Sequence, residues 1–146
     1  MKTIKITFTD EIPKNYTGIA EYVCGDKYWY LNGKYHREDG PAVECATGTK
    51  YWYLNGKQHR ENGPAVECAD GYKSWFLNDK RHRADGPAVE YPNGSKTWYL
   101  NDELHRIDGP AYEHANGNKE YYINGKKVTK EAQEVLYGFY KLKGII

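Results

Sequence analysis

The sequence has little of what marks a catalyst, a membrane protein or a disulfide scaffold. Serine occurs only twice, at Ser74 and Ser95, and methionine once. No segment approaches the roughly 18 consecutive apolar residues that a membrane span requires. The opening "MKTIKITFTDEIP" spreads threonine and charge where a secretory leader would carry an apolar run. Acidic and basic residues balance, 20 against 21, for a net charge of +1. Bulk charge therefore announces neither a nucleic-acid surface nor a membrane-binding one. The three cysteines, Cys24, Cys45 and Cys68, make no paired framework. Cys45 and Cys68 stand at one place in adjacent repeats, which sets them about 10 Å apart and beyond disulfide reach. Reduced thiols and a cytoplasmic location are the expectation.

What the sequence has instead is tyrosine and repetition. Tyrosine occurs 15 times against 3 phenylalanines, a composition suited to half-exposed sheet surfaces, where the ring packs and the hydroxyl stays wet. "YWYLNGKYHREDGPAVECATGTK" begins at Tyr28 and recurs with substitutions from Tyr51, Ser74 and Thr97, a period of 23 residues. A fixed period in this range is the signature of a repeat architecture. Trp29, Trp52, Trp75 and Trp98 share one position, as do Leu31, Leu54, Leu77 and Leu100. "GIAEYVCGDK" is a partial copy before the array, and "EYYINGKKV" is another that closes it at Val128. Residues 1–17 form a lead-in, 18–128 the array and 129–146 a different segment.

Each copy reads as two strands. "TKYWYL" is β-branched and aromatic, and "PAVEC" is short and opens on proline, which a strand accepts at its first residue. Between them stand Thr47-Gly48, Asp70-Gly71, Asn93-Gly94 and Asn116-Gly117, dipeptides of the type I′ hairpin. That turn places Val43 opposite Trp52, Ala42 opposite Tyr53 and Glu44 opposite Tyr51, gathering Trp, Leu and Val on one face. If Asn32-Gly33 is also a two-residue turn, Trp29 lies opposite His36. Val43 can then reach the Trp face only through one break in alternation, expected as a bulge at Glu38-Asp39-Gly40. The fold class expected is mainly β: an elongated, twisted antiparallel meander of stacked hairpins with a C-terminal capping helix. For the helix, Ala132, Val135, Leu136, Phe139 and Leu142 recur at helical spacing, Thr129 suits the N-cap and Gly144 the stop. Its expected work is to cover the last sheet edge or part of the Trp face.

The segment "NGK-x-H" preceded by an aromatic, followed by small residues and glycine and repeating every 23 residues, resembles the MORN repeat. The aromatic two places before the asparagine maps onto Tyr30, Tyr53, Phe76, Tyr99 and Tyr122. After the histidine this chain departs, reading "HRxDGPA" in place of "HGxG". That variant is similar to repeats in uncharacterised proteins of phages and large viruses. The resemblance covers about residues 18–128 and implies a hairpin-repeat architecture. For function it implies an interaction module, and the phage-like variant implies an accessory protein acting on a host protein, with a host antiviral defence as one target.

The His-Arg-Asp trio invites a chemical reading. His36, His59, His82 and His105 should lie about 10 Å apart per copy, while one metal needs its nitrogens at about 2 Å. Successive copies therefore cannot share an ion, and one histidine with one aspartate is too few ligands. Catalysis needs a constellation once, not four times, and the serines do not recur beside the histidine. No enzyme, cofactor or metal is expected. The bland reading is architectural: His against Trp, Arg paired with the Glu of "AVE", and Asp39, Asp85 and Asp108 accepting backbone hydrogens in a turn, a job that Asn62 can also do. The alternative is a ladder for a small anion such as a nucleotide, made of His36, Arg37, His59, Arg60, His82, Arg83, His105 and Arg106.

If repeated positions build, unrepeated ones are where specificity can be written. Tyr35, Arg81 and Leu104 share one variable position, Ile107 stands where other copies carry Glu38, Glu61 and Ala84, and Tyr72 and Tyr91 flank the short turns. Tyr35, Tyr72, Tyr91, Leu104, Ile107 and Arg81 are the candidate partner contacts, since large aromatic and apolar anchors carry most binding energy. Self-association through exposed strands or faces is a further possibility.

Overall fold

A computed structural model describes residues 2–7 and 11–146. Met1 and the Phe8–Asp10 stretch of the lead-in lie outside the described residues. The fold is mainly β, built of short antiparallel rungs and hairpins, with one helix at the C-terminal end. The chain falls into two compact units, residues 1–80 and 81–146, so that the copy beginning at Ser74 contributes to both.

The first unit opens with β1 (Thr3–Ile6), β2 (Gly18–Tyr22) and β3 (Lys27–Leu31). β1 runs parallel to β2, a pairing that an all-antiparallel meander does not contain. Gly18 makes the entry possible: its φ is +148°, and a Cβ there would stand 2.3 Å from the Lys2 carbonyl oxygen. Ile6, Tyr16, Ala20 and Tyr30 form the buried core, with Ile4, Ile12, Tyr22, Tyr28 and Tyr35 packed against it. Tyrosine rings meet in series: Tyr22 with Tyr28 at 5.1 Å, Tyr28 with Tyr35 at 5.8 Å, and Tyr35 with Tyr53 at 5.3 Å between centroids. Burial pushes the Tyr28 hydroxyl up to about 12.

Beyond β3 the ladder continues in two-residue rungs. Tyr28 pairs with Val43, Val43 with Tyr51, Tyr51 with Val66 and Val66 with Ser74. This is one residue away from the register the dipeptides suggested, in which Val43 faced Trp52. Only Gly48 is left-handed there, at φ 93°, and Thr47 is not. Cys45 N–H donates to the Thr49 carbonyl at 2.9 Å, and Gly48 N–H to the Cys45 carbonyl at 2.9 Å. The loop therefore has three residues, a turn closed by a left-handed glycine, and not a two-residue type I′ turn. One residue of register exchanges the two faces. Val43 thus lies with Tyr28 and Tyr51, while Ala42 and Ala65 stand against the tryptophans, accepting from Trp29 and Trp52 amides at 2.8 and 2.8 Å. His36, which pairs with Trp29, and Val43 belong on opposite faces, so alternation needs no bulge to reconcile them.

The type I′ turns are at the other end of each copy. Asn32 and Gly33 have φ of 51° and 74°, Asn55 and Gly56 have 53° and 82°, and Asn101-Asp102 repeats the pattern at 52° and 70°. Tyr53 accordingly faces Gln58, and Leu54 faces Lys57. The strand breaks at Trp52: Lys50–Tyr51 joins the ladder, and Tyr53–Leu54 turns away into its own hairpin.

The second unit repeats these rungs, with Val89 facing Thr97, Thr97 facing Tyr112 and Tyr112 facing Glu120. It ends in a hairpin of Lys119–Ile123 with Lys126–Val128, then α1 (Lys130–Leu142). The Thr129 side chain caps α1 by accepting from Ala132 N–H, and Gly144 ends it at φ 64°. The face that α1 turns inward is not the expected one. Gln133 is buried and Leu136 and Tyr140 are half-buried, whereas Val135, Phe139 and Leu142 are 74%, 51% and 90% exposed. Two stripes share the helical period, and the one that docks is centred on Gln133. No helix of the described residues is long and apolar enough to cross a membrane.

Candidate functional site

The His-Arg-Asp element is a closed internal clamp. The Arg37 guanidinium lies over the Trp29 ring at 4.2 Å, its Nε donates to Asp39 at 2.8 Å, and its Nη1 donates to Glu44 at 3.1 Å. Arg106 repeats this on Trp98, Asp108 and Glu113 at 4.1, 2.8 and 3.0 Å. Arg60 stacks on Trp52 at 3.9 Å and reaches Glu67 at 2.8 Å. The expected pairing of Arg with the Glu of "AVE" is therefore present. The aspartate does more than accept a backbone hydrogen: its carboxylate also takes the guanidinium, and the arginine holds Asp39 and Asp85 below the usual carboxylate range. The glycine that follows makes room. A Cβ on Gly40, Gly86 or Gly109 would stand 2.8, 2.8 or 2.9 Å from the guanidinium carbon of its own copy's arginine.

Each histidine is likewise engaged. His36 Nδ1 accepts from Asn55 N–H at 3.1 Å, His59 Nδ1 from Asn78 N–H at 3.3 Å, His82 from Asn101 at 3.3 Å and His105 from Asn124 at 3.1 Å. These amides belong to the left-handed first residue of the following turn, which has no partner within its own hairpin. At His59 and His82 the same Nδ1 also lies 3.2 and 3.0 Å from the Oδ1 of Asn78 and Asn101. His36, Arg37, His59, Arg60, His82, Arg83, His105 and Arg106 thus hold one copy to itself and to the next, and do not form an open cationic ladder.

The unrepeated candidates separate. Tyr35 is inside the tyrosine series of the first unit. Arg81 stacks on Tyr99 at 4.1 Å and donates to Asp102 at 2.8 Å. Leu104 is half-buried opposite Tyr99, and Tyr72 and Tyr91 are half-buried beside their loops. Ile107, of the six, lines a concavity. This is an open groove of about 790 Å³ in the second unit, lined by Trp98, Leu100, Ile107, Tyr137, Lys141 and Ile146, with the two loops Arg83–Pro87 and His105–Asp108 forming its sides.

The groove follows from two local facts. The 23-residue period places one "HRxDGP" loop beside the next, leaving Trp98 and Leu100 between them. An exposed flank of α1 adds Tyr137 and Lys141, one turn apart. The floor is apolar and the rim carries both signs, but Asp85 and Asp108 engage Arg83 and Arg106 at 3.0 and 2.8 Å. Among the described residues Lys141 makes no ion pair, so it is the cation the groove has to offer. Sequence reading found Ile107 because that position varies. Tyr137 and Lys141 are masked in the sequence by the stronger apolar stripe of Val135, Phe139 and Leu142; their spacing of four on the opposite helical face was the available signal.

A scan against protein-family models and a search of curated proteins both return no match for this chain.

Proposed function

We propose that the protein is a non-enzymatic interaction module of MORN-like hairpin repeats that receives a segment of a partner protein in the groove of its second unit. The observation that carries this reading is the contrast at Ile107. Its three counterparts are Glu38, Glu61 and Ala84, yet here an isoleucine extends an apolar floor of Trp98 and Leu100 beside a free lysine. The recurring polar groups, by contrast, are engaged within the chain. Apolar floor, charged rim and one unengaged cation suit a short peptide segment with an apolar anchor and a carboxylate.

The phage-like form of the repeat extends the proposal to an accessory protein acting in the cytoplasm of a host cell, with a component of antiviral defence as the host target. Affinity capture from host cells tests it, using the wild type, Ile107→Glu and, as an exposed control, Val23→Ser. A host protein retained by the wild type and the control but lost with Ile107→Glu is the expected result. Retention of the same protein by Ile107→Glu would overturn the groove as its site. Native mass spectrometry of the purified protein separates the other reading, sequestration of a small anion: a bound nucleotide whose retention depends on Lys141 would favour it.

A further inference from the structure

α1 carries an apolar row that its own chain leaves uncovered. Ala132, Val135, Phe139 and Leu142 follow one another at spacings of three, four and three, the pattern of a coiled-coil seam. All four are exposed, on the side of the helix away from Gln133, Leu136 and Tyr140.

Three features of this row specify what covers it. The row is symmetric about Tyr137, with Ala132 and Leu142 five residues to either side and Val135 and Phe139 two. A second helix lying antiparallel therefore sets alanine against leucine and valine against phenylalanine, small against large in every layer. Charge is sorted along the same axis. The first half holds Glu131 and Glu134 with Lys130, and the last turn and cap hold Lys141 and Lys143. Antiparallel pairing brings the acidic end level with the basic end and opposes the helix dipoles, whereas parallel pairing puts like ends together.

The third feature is Gly138. Glycine is among the costliest residues in a helix interior, and a Cβ here would meet nothing within 4 Å. Packing within the chain gives no reason for it. It borders the apolar row next to the symmetry centre, where a missing side chain lets two helices approach most closely.

We propose that the protein forms a two-fold dimer through antiparallel pairing of α1 with α1 of a second copy, crossing at Gly138. This goes beyond the groove and does not depend on it: Tyr137 and Lys141 are on the other side of the helix, so both grooves stay open in the dimer. A helix of 13 residues is about 20 Å long. Its single stripe is smaller than the roughly 800 Å² per partner of a standard stable interface, which sets the expected dissociation constant in the micromolar range or weaker.

Sedimentation equilibrium from micromolar to millimolar chain concentration tests the proposal. The wild type should pass from one chain to two, and Phe139→Glu and Leu142→Glu should stay at one chain with an unchanged melting temperature in dilute solution. Gly138→Ala should raise the melting temperature of the dilute protein and weaken self-association several-fold. With Cys24, Cys45 and Cys68 replaced by serine, a mixture of Ala132→Cys and Leu142→Cys should cross-link on oxidation, while neither does so alone. A wild type that stays at one chain throughout overturns the dimer. Cross-linking of Leu142→Cys to itself overturns the antiparallel arrangement, and Gly138→Ala with unchanged self-association overturns the crossing point.

Discussion

The guanidinium of Arg60 lies flat on Trp52, 3.9 Å from the ring centre, while its Nη1 reaches Glu67 at 2.8 Å. One side chain thus joins the aromatic at the break between a copy's first two strands to the carboxylate of its last. Arg60→Ala is expected to destabilise the protein by about 2 kcal/mol, from a lost ring stack and a lost charge-assisted hydrogen bond. Arg60→Lys should recover less than half of that, because an ammonium cannot stack and donate in two directions at once. Urea denaturation with each variant measures the difference, and an unchanged midpoint in Arg60→Ala would show that the clamp contributes nothing.

Gly109 carries a prediction of the opposite kind, an addition. Its φ is not left-handed, so alanine meets no backbone objection there; what a methyl group meets is the Arg106 guanidinium at 2.9 Å. Gly109→Ala should push the guanidinium off Trp98 and cost about 1–2 kcal/mol, in the range of overpacking. Combining it with Arg106→Ala should remove most of that cost. A double mutant that is simply additive would locate the problem elsewhere.

Thr97 is 1% exposed, and among the described residues its hydroxyl has no hydrogen-bond partner. It occupies the row filled by Tyr28 and Tyr51 in earlier copies. Thr97→Val keeps the shape and removes the unmatched donor, so it should stabilise by about 1 kcal/mol. Calorimetric melting reads this directly, and destabilisation would mean that the hydroxyl is satisfied by water.

Glu120 is held at about 2, below its ordinary 4.5, by hydrogen bonds from Lys127, His114 and Tyr122. A depressed carboxylate favours the folded state fully above its unfolded value, and the contribution fades as pH falls from about 4.5 toward about 2. The melting temperature should therefore drop over that interval. Glu120→Gln should lower it near neutrality and flatten its acid limb; an unchanged acid limb would assign the loss to the other depressed carboxylates, Asp39, Asp85, Glu21 and Glu131.

The 23-residue period was enough to read the hairpins and the Arg–Glu pairing, and helical spacing after a threonine was enough to read the helix with its Thr129 cap. Register was not, and the reason is specific. Thr47-Gly48 and Asn32-Gly33 look alike as dipeptides, but only the second places both residues at positive φ. Which loop takes two residues and which takes three depends on what packs beneath it, and that single residue decides whether Val43 faces a tyrosine or a tryptophan. The groove was half legible: Ile107 stood out by varying, but its walls come from the following copy and from a helix face that looks polar on paper. The conserved-looking trio, finally, could be read as architecture from its recurrence, while the guanidinium's seat over glycine is a matter of space that no pattern of letters displays.

The clamp also bears on the order in which the molecule can assemble. Arg37 closes on Trp29, Asp39, Pro41 and Glu44, all within its own copy. Bonds that leave that copy toward the C-terminus, from Asn55 N–H to His36, from Gly56 N–H to Tyr35 and from Arg37 N–H to Tyr53, reach into the hairpin that follows. Those toward the N-terminus, from Asn32 N–H to Thr17, from Gly33 N–H to Tyr16 and from Ala46 N–H to Asp26, reach segments already made. A ribosome therefore delivers each copy's partners within a few dozen residues of the copy itself, and structure can accrete behind the exit tunnel without waiting for the C-terminus.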